Sequence, residues 1–110
     1  MSCKVHITNA AEQDIAGALD YIEFELRNPT AADALFDRIN AEIESLSEFS
    51  QRYSVVQDPV LRTWGIRFIK INNYLAFYTF SQSDETVYIV RFLYAKRNWA
   101  AVLRAGVDLT

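Results

Sequence analysis

The sequence is poor in residues that cross-link, interrupt or anchor a chain. Its 110 residues include one cysteine, three glycines and two prolines. Cys3 alone cannot form an internal disulfide, and so little glycine and proline excludes a collagen-like or linker-like chain. No apolar run approaches the ~20 residues of a membrane-spanning helix. The opening residues also lack the apolar stretch and cleavage site of a secretory signal, so we expect a cytoplasmic protein without membrane contacts.

Histidine is equally scarce, and its scarcity limits the chemistry available. His6 is the only histidine, and its neighbour Cys3 would be a poor metal-ligand partner on a strand. Neither a glycine-rich phosphate loop nor a nucleophile elbow occurs. We therefore predict no metal and no cofactor, and acyl transfer and nucleotide hydrolysis are disfavoured.

The composition itself is that of a globular protein with unevenly distributed charge. Apolar residues make up 51% and charged residues 23% of the chain, and 110 residues predict a single domain over residues 1–110. The net charge is −7 over residues 1–50 and +4 over residues 51–110. The basic half can therefore contact phosphates although the whole chain has a net charge of −3.

The first half is predicted to form a strand followed by a helical hairpin. Cys3–Ile7 alternates as a short strand, and Thr8 or Asn9 can cap a first helix. Arg27–Pro29 ends that helix and starts a second one, which runs to about Phe49. The predicted buried stripes are Ala11, Ile15, Ala18, Leu19, Ile22 and Leu26 in the first helix and Ala32, Leu35, Phe36, Ile39, Ile43 and Leu46 in the second.

The second half is predicted to form a three-stranded antiparallel meander. Trp64–Phe80 is rich in strand formers and contains a tight turn at Asn72–Asn73. Thr86–Tyr94 is apolar on both faces and therefore a central strand. Ser50–Arg62 is the longest candidate loop, and Lys96–Arg104 forms a short closing helix. Strict alternation in the last strand places Val87, Ile89, Arg91 and Leu93 opposite Tyr88, Val90, Phe92 and Tyr94.

The predicted fold class is thus α+β, with two antiparallel helices on one face of an antiparallel sheet. The open face or the closing tail presents the basic and phenolic candidates for function: Arg67, Lys70, Arg91, Lys96, Arg97, Tyr74, Tyr78, Tyr88 and Tyr94. Guanidinium groups bind phosphate oxygens in bidentate fashion. The competing interpretations are structural. Strand tyrosines are usually half-buried sheet residues, and Arg91 can equally anchor an acidic side chain of the helical hairpin.

Several segments occur in an order that is typical of one family. They are Gly65–Arg67, Asn73–Tyr78, Arg91–Trp99, Asn28–Ala32 and the early residues Ala11, Asp14, Ile15, Tyr21 and Ile22. With the order of elements, they resemble the RelE/ParE toxin superfamily of bacterial type II toxin–antitoxin systems over nearly the whole chain. The resemblance implies a microbial-ribonuclease-like fold, growth arrest, a link to plasmid stabilisation, and a cognate antitoxin whose tail wraps the toxin.

The resemblance implies one of two activities. RelE-like members bind the ribosome and cut messenger RNA, using cations to stabilise the developing charge and a proton donor for the leaving oxygen. Our first hypothesis is this ribosome-dependent mRNA cleavage, with Tyr94 and Arg97 catalytic. The residues expected to bind RNA phosphates are Arg67, Lys70, Arg91 and Lys96.

The alternatives to RNA cleavage are binding activities without catalysis. ParE-like members bind and poison DNA gyrase without any acid–base group. Leu75 and Leu93 favour this activity, because ribonuclease members commonly have arginine at the first position and the YoeB-type branch has histidine at the second. A pI of about 5.0 is also low for a protein that binds ribosomal phosphates. A third alternative is a member that has lost toxicity and only binds its antitoxin.

Overall fold

The computed structural model describes residues 3–48 and 53–110. In chain order the elements are β1 (Lys4–Ile7), α1 (Asn9–Asp20), a π-helical turn (Tyr21–Glu25), α2 (Pro29–Ser45), α3 (Pro59–Thr63), β2 (Arg67–Ile71), β3 (Tyr74–Ser81), β4 (Thr86–Tyr94) and α4 (Trp99–Arg104). The α+β class and the order of strand, helical hairpin, meander and closing helix are confirmed. None of the helices in these two ranges is long and apolar enough to cross a bilayer.

The strands form one four-stranded sheet in the order β1-β4-β3-β2. The pairs β2–β3 and β3–β4 are antiparallel, which confirms the meander, and β4 is central as predicted. However, β1 pairs with β4 in parallel, so the sheet is mixed and the prediction of a wholly antiparallel sheet is wrong. Alternation along β1 indicates a strand but carries no information about its partner or direction, which the long connection through the helices determines.

The predicted helix starts are confirmed by their caps. The side chain of Thr8 accepts a hydrogen bond from the Ala11 N–H at 3.3 Å, at the start of α1. The Asn28 side chain accepts one from the Ala31 N–H at 3.1 Å, and Pro29 is the first residue of α2. Both caps satisfy backbone donors that have no partner within the helix.

The helix ends differ from the prediction. The α-helical part of the first helix ends at Asp20 instead of near Leu26, because the chain widens into the π-helical turn, where the Leu26 N–H donates to the Tyr21 carbonyl. The second helix ends at Ser45. The predicted end near Phe49 lies outside the described residues.

The helical hairpin packs on one face of the sheet. Its core contains Ala11, Leu35, Ile39, Ile43 and Leu46 from the helical segment and Ile69, Ile71, Ala76, Tyr78, Val87, Ile89 and Phe92 from the strands. Two predicted members of the buried stripes are instead exposed: Leu26 by 56% and Phe36 by 48%. Phe36 follows the buried Leu35 and is turned about 100° away from it around the helix, toward solvent.

The other face of the sheet is covered by α3 and α4, so the open face, one of the two alternatives considered for presenting the candidate residues, is wrong. Leu61 of α3 and Leu103 of α4 are fully buried, and the Trp99 and Phe77 rings pack with centroids 5.1 Å apart. The inward orientation predicted for the closing helix is confirmed. Helix α3 lies inside the predicted loop, where Asp58 caps it by accepting hydrogen bonds from two backbone N–H groups.

A β-bulge interrupts the alternation of β4. Phe77 of β3 pairs with Arg91, but the next residue, Tyr78, pairs with Ile89, so Val90 is an extra residue in β4. The residues after the bulge therefore change faces. Val87, Ile89 and Phe92 pack on the side of the helical hairpin, whereas Tyr88, Val90 and Leu93 pack on the side of α3 and α4. The strict alternation predicted for this strand is wrong after Val90.

Candidate functional site

A cavity lies where the π-helical turn meets the start of β3 and the end of β4. We call it the tyrosine groove; its volume is about 650 Å³ and it is lined by Tyr21, Ile22, Leu26, Asn73, Tyr74 and Tyr94. The lining is mainly apolar and aromatic, as in sites that bind a large apolar group. The groove is therefore the first candidate for a functional site.

Aromatic contacts fix the floor of the groove. The Tyr74 ring stacks on Phe92 at 4.9 Å and meets Tyr94 edge-on at 5.7 Å. Burial raises the pKa of Tyr74, and the nearby phenols of Tyr94 and Tyr21 raise it further. Because its ordinary value is already 10.0, the Tyr74 hydroxyl is protonated at neutral pH and can donate a hydrogen bond. Tyr94 is 42% exposed and presents part of its ring to solvent.

Exposed cations at this end of the sheet include Lys70, Lys96 and Arg97, which we call the basic rim, and Arg38 of α2, whose Nη1 donates to Asn72 Oδ1 at 2.9 Å. The turn carrying two of the rim residues is tied to the groove, because the Ala95 N–H donates to the Asn73 carbonyl at 2.8 Å and the Arg97 N–H to the Tyr94 carbonyl at 3.0 Å.

The third rim residue, Lys70, pairs with Leu75, which packs on the side of α3 and α4, so Lys70 lies at the same end of the sheet but on the opposite face from Tyr74. The three rim side chains make no hydrogen bond or ion pair with any residue in the ranges 3–48 and 53–110. The structure thus brings the predicted residues Tyr94, Lys96, Arg97 and Lys70 to one end of the sheet.

The π-helical segment that forms one wall of the groove carries acidic residues. The π-helical turn contains the exposed residues Glu23 and Glu25 and follows the exposed Asp20. Phe24, between the two glutamates, is 66% exposed, and Tyr21 is 53% exposed. The wall formed by the π-helical turn thus carries exposed acidic and aromatic residues, whereas Lys96 and Arg97 follow Tyr94 of the facing strand.

Arg67, predicted to bind phosphate, lies away from the groove. Its Nη1 donates to the Tyr53 carbonyl, and the residue pairs with Tyr78 near the middle of β3. From Arg67 to Ile71, at the groove end of β2, is about 13 Å along the strand. The structure does not bring this guanidinium together with Tyr94 and Arg97.

Arg91 forms an ion pair with the helical hairpin. Its Nε lies 2.6 Å from Asp14 Oδ2 and its Nη2 lies 2.9 Å from Asp14 Oδ1, while the Phe92 N–H also donates to Oδ2 at 3.1 Å. The hydrogen bond to Asp14 raises the pKa of Arg91, against the opposing effect of desolvation. The alternative considered for Arg91, that of an arginine anchoring an acidic side chain of the hairpin, is therefore what the structure shows.

The histidine and the remaining candidate tyrosines lie elsewhere. His6 Nε2 is 3.0 Å from the Thr110 backbone oxygen, and His6 pairs with Tyr88. Tyr88 lies six residues before Tyr94 in β4, about 20 Å along the strand. Its hydroxyl donates to Asp84 at 2.8 Å, which raises the Tyr88 pKa. Tyr78 is fully buried, and burial raises its pKa.

No metal centre is evident in the described part of the chain, since it contains no group of three or more His, Cys, Asp or Glu side chains placed to share an ion. The site residues that sequence reasoning missed are those of the π-helical turn, which forms one wall of the groove. One signal was available. Tyr21, Phe24 and Leu26 place three large apolar side chains within six residues, more than one buried helix stripe can hold.

Comparisons with known proteins agree with the fold and the order of elements. Residues 5–99 match the family described as the ParE toxin of the type II toxin–antitoxin system parDE. A structure of the chromosomal ParDE TA system from P. aeruginosa is similar with a TM-score of 0.70 and 15% identity, covering 86% of this chain and 98% of that one.

A second structure, the toxin–antitoxin complex RelBE2 from Mycobacterium tuberculosis, is similar with a TM-score of 0.58 and 17% identity, covering 86% of this chain and 99% of that one. No curated protein matches. At these identities the structural likeness shows the fold alone, while the family match extends over most of the chain. The resemblance noted in the sequence is confirmed: this chain belongs to the ParE toxin family of type II toxin–antitoxin systems.

Proposed function

We propose that this toxin acts as a non-enzymatic binding protein on DNA gyrase, through the tyrosine groove and the basic rim. The observation that carries the proposal is the separation of the cationic side chains. Arg91 and Arg67 are hydrogen-bonded to Asp14 and to the Tyr53 carbonyl, whereas Lys96 and Arg97 follow Tyr94 in the chain and their side chains make no such bond with the described residues. An exposed aromatic surface with a charged rim suits protein recognition.

RNA cleavage makes a stricter geometric demand. It needs a proton acceptor, a proton donor and several cations within hydrogen-bond reach of one phosphate. His6 lies beside Thr110 and pairs with Tyr88, six residues before Tyr94 in β4. Leu75 and Leu93 are buried beneath α3 and α4 and offer no polar group at the positions where ribonuclease members have one. Binding without chemistry requires none of these groups.

The test is a supercoiling assay with purified gyrase, relaxed plasmid and increasing amounts of this protein. We expect dose-dependent inhibition. In parallel, primer extension on a defined message in a purified translation system should show no new cuts. Supercoiling unaffected by the protein, together with cuts that require translating ribosomes, would contradict the proposal.

Ribosome-dependent mRNA cleavage remains the second candidate, because one specific observation favours it. Tyr94 and Arg97 are both exposed and lie in one turn, in which the Arg97 N–H donates to the Tyr94 carbonyl at 3.0 Å. On this hypothesis Lys70 and Lys96 contact the RNA backbone. Arg97→Ala would then abolish cleavage, and full activity of that variant would remove Arg97 from the chemistry.

We further propose a cognate antitoxin as the regulatory partner. The two similar structures are of a ParDE system and of a RelBE2 toxin–antitoxin complex, which supports this partner. Expression of this chain should arrest growth, and co-expression of the antitoxin should relieve the arrest. Normal growth of cells that accumulate the folded protein would favour the third alternative, a member that only binds its antitoxin.

A further inference from the structure

The placement of Tyr94 depends on the bulge in β4. In an uninterrupted strand, Tyr94 would point to the same face as Tyr88 and Val90, toward α3 and α4. The extra residue at Val90 reverses the alternation, so that Tyr94 instead lines the groove with Tyr74. One inserted residue thus determines whether the groove has its exposed aromatic side chain.

A single carboxylate holds the strand immediately after this bulge. Asp14 of α1 accepts hydrogen bonds from Arg91 Nε and Nη2 and from the Phe92 backbone N–H, at 2.6, 2.9 and 3.1 Å. The side chains of Asp14 and Arg91 are only 14% and 25% exposed. Because two successive residues of β4 bind the same carboxylate, their positions relative to α1 are fixed together.

We propose that Asp14 is a positioning residue: by binding Arg91 and the Phe92 N–H, it holds the bulge that turns Tyr94 into the tyrosine groove. Asp14 does not line the groove and acts only through β4. The proposal rests on the proposed function in one respect, namely that the groove is the surface with which the toxin acts. The structural effect on Tyr94 can be measured whatever the target is.

A different role must be distinguished from this one. The ion pair could simply attach α1 to the sheet, in which case its loss would lower stability without moving Tyr94. Stability alone therefore cannot test the proposal. The readout that separates the two roles is the Tyr94–Tyr74 ring contact, because the Phe92 N–H loses its acceptor in either case.

The experiment is NMR on the full chain carrying Asp14→Ala, with Glu12→Ala as a matched control. Glu12 is exposed on the same helix, and that substitution removes the same charge. In the control, the nuclear Overhauser contacts between the Tyr74 and Tyr94 rings should persist. In Asp14→Ala these contacts should be lost, and the Phe92 N–H should exchange at least tenfold faster. Unchanged ring contacts in a folded Asp14→Ala protein would overturn the proposal.

A second variant keeps the test decisive if Asp14→Ala does not fold. Asp14→Asn has nearly the same shape and retains an acceptor oxygen, but it loses the charge that pairs with Arg91. We expect weaker Tyr74–Tyr94 contacts and Phe92 N–H exchange that is faster than in the wild type. Wild-type ring contacts would overturn the proposal.

The functional consequence is a separate readout. In the supercoiling assay, folded Asp14→Ala should inhibit gyrase at least tenfold less well than Glu12→Ala. If wild-type protein leaves gyrase unaffected, the proposed function fails while the ring contacts still test the positioning role. If Asp14→Ala moves Tyr94 but inhibits as well as the control, Asp14 does not position the toxin surface.

Discussion

Basic residues in the middle of the sheet are hydrogen-bonded, whereas those at the groove end divide into Arg38, which donates to Asn72, and the basic rim. In the middle, Arg91 pairs with Asp14, and Arg67 donates to the Tyr53 carbonyl. At the groove end, the three cations of the basic rim are exposed and make no such bond with any described residue. A charge removed from water must be paired, whereas a charge at a strand end can remain hydrated. The net charge of a segment therefore does not give the number of cations available to a ligand.

The largest effect should come from breaking the ion pair in the middle of the sheet. Arg91→Ala leaves the Asp14 carboxylate largely buried without its guanidinium. We expect the free energy of unfolding to fall by about 2 to 3 kcal/mol, less than for a fully buried pair because Arg91 is partly solvated. Urea denaturation followed by circular dichroism measures this change. A loss below about 0.5 kcal/mol would contradict the structural role of the pair.

A smaller loss should follow from Arg67→Ala. This change removes a hydrogen bond to the Tyr53 carbonyl from a half-buried guanidinium. The expected decrease in unfolding free energy is about 1 kcal/mol. Lys70→Ala on the same strand is the matched control and should change stability by less than about 0.5 kcal/mol. An equal decrease in unfolding free energy in the two variants would show that the hydrogen bond of Arg67 does not stabilise the protein.

The stability contributed by the ion pair between Asp58 at the start of α3 and Arg104 of α4 should depend on pH. The hydrogen bond from Arg104 lowers the pKa of Asp58 below its ordinary 3.8, and the backbone N–H groups that Asp58 caps act in the same direction. Since the folded-state pKa is depressed, the pair stabilises the fold above pH 3.8 and its contribution disappears as pH falls through the lower folded-state value.

The urea midpoints of wild type and Arg104→Ala should therefore differ at about pH 6 and converge toward about pH 3. A difference that stays constant over this range would show that Arg104 stabilises the protein by packing alone.

The smallest effect on stability should come from the basic rim. Lys96→Ala combined with Arg97→Ala removes two exposed cations that make no hydrogen bond or ion pair with the described residues. We expect the unfolding free energy to change by less than about 0.5 kcal/mol. A loss as large as that of Arg91→Ala would remove the distinction between the two regions.

Local signals accounted for much of the fold. The caps at Thr8 and Asn28 and the turn at Asn72, which has a φ of 54°, occur where the sequence predicted them. Each depends on a few adjacent residues, so no knowledge of distant contacts was needed. Asp58–Pro59 repeats the cap-and-proline pattern of Asn28–Pro29 and was still missed, because only five helical residues follow it.

The features that the sequence did not predict depend on distant contacts. The parallel pairing of β1 joins residues about eighty positions apart. The residues after the bulge at Val90 bind Asp14, which lies seventy-seven residues before Arg91. Neither contact leaves a local pattern, and the bulge reverses the side-chain alternation on which the strand prediction relied.

The same distinction applies to the site. Tyr94, Lys96 and Arg97 are close in sequence and stay close in space, so they could be grouped from the chain alone. Arg67 and Arg91 have the same chemistry, but their partners, Tyr53 and Asp14, are visible only in the fold. Residue type indicated which side chains can bind an anion. The packing determined which of them are already hydrogen-bonded to other groups of the protein.

The central claim is that the basic rim, and not the paired arginines, forms the surface with which this toxin acts. The most direct test is a titration of gyrase supercoiling with the wild type and with the Lys96→Ala, Arg97→Ala double variant, after equal folding of both is established. We predict that the wild type inhibits supercoiling and that the double variant requires at least tenfold more protein, equivalent to about 1.4 kcal/mol of binding free energy. Equal inhibition by the two proteins would contradict the claim.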